Sequence, residues 1–221
     1  MKRIFGLAAA VALVLGSIQA QGQSVIYNFS DGNADGWANS GFGSTPAATV
    51  ANIGGQNYIS IPVGGFQVAN VTSSTSTLST FAAAMAAAAA NPAGYDISYN
   101  YYVDTSTWTG SPTYLQIGTF VNTGSGYYAQ DYGSPNEVQL NGTQMASGQV
   151  FQGTVTINLA AVGYAMPPAD TFFRLGLVEN SNGTGVVDFT DISVSPVPEP
   201  ASLALIGLGM AGLIMMRRRN S

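Results

Sequence analysis

The sequence predicts an all-β protein: one β-sandwich with a single short alanine-rich helix, flanked by a helical signal segment before it and an apolar helix after it. Three observations predict this. Tyr95, Ile97, Tyr99, Tyr101 and Val103 alternate with Asp96, Ser98, Asn100, Tyr102 and Asp104, a strict period of two that suits a strand with one buried face. Shorter segments of the same kind recur along the chain, separated by turns rich in Gly, Asn, Ser and Thr, as in sandwiches and barrels. About 175 residues lie between the two terminal segments, enough to bury the core of one domain.

Taken in chain order, residues 1–20 read as a secretory signal. Lys2 and Arg3 form a positive start, Ile4–Leu15 an apolar stretch too short to span a bilayer, and Ile18-Gln19-Ala20 a cleavage site with a small last residue, placing the cut between Ala20 and Gln21. Residues 21–195 form the predicted domain. Its expected strands are Ser24–Phe29, Tyr58–Val63, Phe66–Val71, Tyr95–Asp104, Thr113–Val121, Glu137–Leu140, Thr154–Leu159, Phe173–Leu177 and Gly185–Val194. In the last of these Val187 and Phe189 keep one phase and Ile192 and Val194 the other, so a bulge is expected near Thr190–Asp191. Leu78–Ala90 is the exception: alanine is the best helix former, Ser79 or Thr80 suits the start, and Asn91-Pro92 the end. The same run also fits a low-complexity linker.

Composition removes several functional classes. The 221 residues contain no cysteine and no histidine, which excludes a Ser-His-Asp triad, a thiol nucleophile, disulfides and the usual zinc sites. Charged residues are 8% of the chain. Five of the six basic residues lie at the two ends, so residues 21–197 hold Arg174 alone against ten acids, a net charge of −9. Such a surface repels phosphate backbones, and no nucleic-acid partner is expected.

Residues 196–221 carry the most specific pattern. Val197-Pro198-Glu199-Pro200 is followed by sixteen uncharged residues, Ala201–Met216, and then by Arg217, Arg218 and Arg219. The prolines keep the backbone extended, and the apolar run makes a helix of about 24 Å, close to the bilayer core. The arginines hold the cytoplasmic end by the positive-inside rule, as a basic stop-transfer cluster. This arrangement resembles the PEP-CTERM protein-sorting signal of Gram-negative bacteria. The resemblance implies processing by an exosortase near Pro198–Pro200, transient anchoring in the inner membrane by a transmembrane helix, and a final place at the cell surface or in the extracellular matrix. It also implies association with exopolysaccharide and biofilm.

Tyr27-Asn28-Phe29-Ser30-Asp31-Gly32 with Asp35-Gly36-Trp37, and the segment Val187–Val194, resemble the opening and closing strands of jelly rolls of the carbohydrate-binding-module type. That resemblance implies that the first and last strands are neighbours and that an acid from each could hold a structural calcium: Asp31 from the first, Asp188 or Asp191 from the last. Thr190 departs from the family's usual aspartate. No other cofactor is expected, since hard oxygen donors are the ones available.

Glycoside hydrolysis needs two carboxylates held about 5–9 Å apart. Glu137 and Glu179 are the only glutamates outside the sorting motif, and no acidic pair stands out, so no catalytic residue is assigned. Eight of the eleven tyrosines fall between Tyr95 and Tyr132. Tyr95, Tyr99 and Tyr101 share the core phase. Tyr102, Trp108, Tyr127, Tyr128 and Tyr132 are the candidates for an exposed surface on which sugar rings stack. The sequence thus predicts a non-enzymatic surface or matrix protein. The alternatives are a binding module with a defined glycan, marked by an exposed Tyr/Trp strip, and a secreted hydrolase, marked by a glutamate and an aspartate meeting in a pocket.

Overall fold

A computed structural model of the chain describes residues 22–39, 48–123, 128–131, 137–161 and 172–197. The signal segment with Ala20 and Gln21, the motif residues Pro198, Glu199 and Pro200, the apolar run Ala201–Met216 and Arg217–Arg219 lie outside these residues. Among the described residues no helix is long and apolar enough to cross a membrane.

Gln23–Pro196 form one compact unit. It contains β1 (Val25–Tyr27), β2 (Ala38–Asn39), β3 (Thr49–Ile53), β4 (Gln56–Thr72), α1 (Phe81–Ala90), β5 (Tyr95–Asp104), β6 (Tyr114–Thr123), β7 (Tyr128–Asp131), β8 (Val138–Asn141), the short turn α2 (Gly142–Met145), β9 (Val150–Asn158) and β10 (Phe173–Pro196). The strands pair antiparallel in a single hydrogen-bonded sheet.

Two long strands organise this sheet. β4 has 17 residues and β10 has 24, and they pair from Arg174↔Thr72 to Phe189↔Ile59. At one end β3 extends the sheet beyond β4, while β5 and then β9 extend it beyond β10. At the other end β2 lies against β4, and β6, carrying β7 and β8, lies against β10. Along both long strands the odd-numbered side chains face inward: Ile59, Ile61, Val63, Ala69 and Val71 from β4, and Leu175, Leu177, Val187 and Phe189 from β10. Side chains from the two ends meet in one core with Tyr99, Leu115 and Ile117, so the sheet closes on itself as a β-sandwich.

The sequence divides each long strand in two, and the structure joins them. Gly64-Gly65 bends β4 without ending it, Gly65 at φ 109° taking a conformation that only glycine adopts without strain. Opposite, the β4–β10 register shifts between Asn180 and Thr184. The bulge expected near Thr190–Asp191 is present. The β5 register slips between Thr190 and Ser193, with Asp191 in the left-handed region at φ 50°, and beyond it Ile192 and Val194 return to the core. β1 pairs with this last stretch, Val25↔Val194 to Tyr27↔Ile192, making first and last strands neighbours.

The alanine run is a helix, not a linker. Phe81, Ala84, Met85 and Ala88 form a buried stripe, spaced to give one helical face, and α1 packs against β10. Thr80 occupies the cap position, but its side chain makes no capping bond and its backbone is helical. The helix is held by burial of its apolar face.

Candidate functional site

Even-numbered residues of the first half of β4 and of β10 from Val186 up to the bulge at Thr190 point away from the core, and the register sets them side by side. Asp188 lies between Ser60 of β4 and Tyr102 of β5, and Tyr102 in turn opposes Gln152 of β9. One rung along, Thr190 opposes Asn100, which opposes Thr154. Tyr58 lies on this same face, two residues before Ser60. Its ring sits 6.0 Å from that of Tyr102, tilted at 53°. Both residues are half-buried.

The polar groups around this pair are fixed by hydrogen bonds. The Ser60 hydroxyl donates to Asp188. Asn100 Nδ2 donates to Asp191 at 2.9 Å, and Thr154 donates to Asn100 Oδ1 at 2.6 Å. Gln56 Nε2 reaches the Thr190 hydroxyl at 3.3 Å and Asp191 at 3.5 Å. Burial raises the Asp188 carboxyl above its ordinary range, offset in part by the Ser60 bond. Burial, and then the charges of Asp191 and Asp188, raise the Tyr58 phenol. Ser60, Asp188 and Thr190 are buried beneath this face, so the groups left partly or fully exposed beside the two rings are Asn100, Asp191 and Thr154.

A depression of about 340 Å³ opens at the end of this face, lined by Asn28, Ser30, Asn52, Gly55, Gln56, Asn57 and Asp191. Its rim is built by the tight β3–β4 turn at Gly54-Gly55, both at positive φ. Asn57 ties that turn to the end of β1 by donating to the Phe29 carbonyl at 2.9 Å. Asp191, at the bulge in β10, lines the same depression.

The three calcium candidates have different settings. Asp31 is fully exposed and closes its own turn. Its two oxygens accept from the Asn33 backbone and side chain, each at 2.9 Å, and these bonds, the side-chain one first, hold its carboxyl below the usual range. It does not line the depression that Asp191 lines, and Asp188 is engaged by Ser60. No group of three acidic residues placed to hold a metal occurs among the described residues. Asp191 with the Asn28 and Ser30 oxygens is the set that a hard cation would find there.

The aromatic candidates divide as well. Tyr102 lies on the open face as expected. Trp108 does not: it is only 9% exposed, because its ring lies directly over Gly185, where an added Cβ would come within 2.2 Å of the indole. Its place in an exposed stacking strip is therefore corrected to a place in the core. Tyr101 is half-buried where full burial was expected, since its ring reaches the outer strand and rests on Gly153, where an added Cβ would stand 3.1 Å from it. Tyr127 and Tyr132 lie outside the described residues. Tyr128 begins β7, and its side chain is not described. Of the glutamates, Glu179 is wholly buried and Glu137 is held by Gln139 at 2.9 Å, and neither lines the depression.

Tyr58, Ser60, Asn100 and Gln56 were not anticipated as site residues from the sequence. A signal for the first two was present: Ile59, Ile61 and Val63 share one phase of a strand, which leaves Tyr58 and Ser60 on the other.

Residues 196–219 match the family model of the PEP-CTERM protein-sorting motif. No curated protein matches the chain. Among solved structures the fold is similar to a family 28 carbohydrate-binding module specific for non-crystalline cellulose, with a TM-score of 0.52 and 16% identity over 75% of this chain and 91% of that one. A family 11 module from Clostridium thermocellum, solved with a mixed-linked β-1,3-1,4 tetrasaccharide, gives 0.48 at 7% identity over 81% and 99%. The C-terminal family 22 module of a Clostridium thermocellum protein gives 0.46 at 14% over 80% and 96%. The chain thus carries the sorting motif of an exported protein, on a body with the fold of carbohydrate-binding modules.

Proposed function

We propose that this protein is a non-enzymatic component of the cell surface or extracellular matrix that holds polysaccharide on the open face of its sandwich. An exosortase would process it at Val197-Pro198-Glu199-Pro200 after transient anchoring in the membrane. The observation that carries the reading is the Tyr58–Tyr102 pair, seated beside the buried Ser60–Asp188 bond and bordered by the partly exposed Asn100 and Asp191 and the exposed Thr154. Tyrosine rings stack on the C–H faces of sugars, and anchored amides and carboxylates accept and donate to hydroxyls with little further ordering. The net charge of −9 over residues 21–197 disfavours anionic chains, so neutral glycans are the class of choice. The cellulose specificity of the family 28 module makes amorphous cellulose the first probe.

The test is retention of the body on immobilised amorphous cellulose, mixed-linked glucan and alginate. Retention on a neutral glycan that Tyr102→Ala and Tyr58→Ala each reduce by about tenfold, the scale of one lost aromatic stacking contact, is expected. Equal retention of the variants, or preference for alginate, would refute the assignment of this face.

A further inference from the structure

The outermost strand of the same layer is unlike the other outer strands of the sheet. Among the described residues β1, β2, β3, β7 and β8 have 3, 2, 5, 4 and 4 residues. Short outer strands are a common protection against pairing with other chains. β9 has nine residues, Val-Phe-Gln-Gly-Thr-Val-Thr-Ile-Asn, and among the described residues it pairs only with β5. It contains no charge and no proline, and its register with β5 runs without a shift from Asn158 to Val150, so no bulge turns it aside. Three usual defences of an edge are missing together. Gly153 in its middle is explained by the Tyr101 ring above it and does not interrupt the strand. Val150 is 47% exposed, and Phe151 and Val155 reach the core only in part.

We infer that β9 is an interface, and that its occupant is β9 of a second copy, joined antiparallel about a two-fold axis at Thr154. The sequence of the strand is complementary to itself in that register. Thr154 meets Thr154, Gln152 meets Thr156, and Phe151 meets Ile157, while Gly153 meets Val155 and Val150 meets Asn158. Hydroxyl and amide pairs, with Val150 against Asn158 at the two ends, fill the open face, and apolar pairs fill the inner face, where they further cover Phe151 and Val155. A two-fold contact of this kind closes after two copies and leaves no open chain.

The negative charge of the body does not oppose the joint. The nearest acids are Asp96 and Asp104 on β5, which oppose Asn158 and Val150. Asp96 accepts from Asn158 and Asp104 from Ser106. Across the joint they stand three strand spacings apart, about 14 Å, beyond the screening length of about 8 Å at physiological salt. The axis is perpendicular to the sheet, so both Tyr58–Tyr102 faces lie on the same side of the pair. A polymer could engage both, gaining affinity without any new contact. The pairing itself does not depend on glycan binding.

Gln152 and Thr156 are exposed and oppose each other twice in the paired strands, which makes them the positions to test. The body Gln23–Pro196, a unit with its own core, is measured by sedimentation over a hundredfold range of concentration. A reversible two-copy species is expected. The double variant Gln152→Lys with Thr156→Lys sets like charges directly opposite and should weaken pairing by about tenfold or more, with a melting curve unchanged at concentrations where the wild type is also monomeric. The variant Gln152→Glu with Thr156→Glu should do the same. Mixing the two should restore a mixed pair, because each lysine then faces a glutamate. A wild type monomeric throughout, a lysine variant that pairs as before, open-ended growth, or no rescue on mixing would overturn the inference. None of these outcomes bears on the tyrosine face, which the retention assay tests separately.

Discussion

Glu179 shows how far one side chain can depart from its usual setting. It lies in the inward phase of β10, is wholly buried, and neither carboxyl oxygen has a hydrogen-bond partner. Burial pushes its pKa well above the usual carboxylate range, with the nearby backbone amides of Ala69 and of Glu179 itself acting in the opposite direction. Gln67 opposes it on β4, on the same inner face, and the Gln67 carbonyl oxygen is also unsatisfied. Two acceptors on one rung lack a donor between them, and a protonated Glu179 supplies one. Because the folded pKa is raised, stability is fully present below the unfolded value near 4.5 and is lost as the pH rises toward the folded value. Glu179→Gln should therefore raise the melting temperature at pH about 8 and leave it nearly unchanged at pH about 4, with each kcal/mol worth about 2–4 °C in a domain of this size. Equal shifts at both pH values would mean that the carboxyl does not titrate. Trp108 is a second residue-scale case. Trp108→Ala should cost about 3–5 kcal/mol by leaving a cavity over Gly185, read as a lower midpoint in urea, while the remaining folded protein binds glycan as before.

At the scale of elements, the sequence revealed what one-sided burial imposes and hid what the third dimension imposes. The alternation in β5 was legible because its two faces meet core and solvent. The bulge was legible because Phe189 and Ile192 cannot face the same way without an extra residue between them. β3 was not anticipated: Thr49–Ile53 is an outer strand with no fully buried residue, so its pattern carries no sharp alternation, although the Gly54-Gly55 turn after it was visible. The joining of strand pairs into β4 and β10 was hidden because Gly64-Gly65 reads equally as a bend or an end. The candidate site was half legible for the same reason. Tyr102 follows from strand phase, but its partner Tyr58 is 44 residues earlier in the chain and meets it only across β10. The bulge itself can be tested. Asp191 holds φ 50° and accepts from Asn100, so Asp191→Val should cost about 1–3 kcal/mol through backbone strain, whereas Asp191→Asn, which tolerates that conformation, should cost less. Thermal melting of the two variants ranks them, and equal losses would mean that the carboxylate matters more than the backbone.

At the scale of the whole molecule, charge and apolar length are segregated. One basic side chain against ten acids gives residues 21–197 little electrostatic attraction to an anionic membrane surface, and the sorting motif at 196–219 is the segment expected to anchor the chain. The motif sits directly after β10, whose last residue, Pro196, still pairs with Tyr95. Cleavage within Val197–Pro200 would therefore release the sandwich without touching a core residue, and the first and last strands would remain paired. This predicts a clean division of behaviour. Replacing Pro198, Glu199 and Pro200 together by alanine should leave the folding and glycan retention of the body unchanged. It should nevertheless keep the protein in the membrane fraction at its full mass if processing depends on recognition of those three residues. Fractionation followed by intact mass measurement, in a host that possesses the exosortase, reads both properties at once. Release of the substituted protein at the same mass as the wild type would show that processing does not depend on this motif.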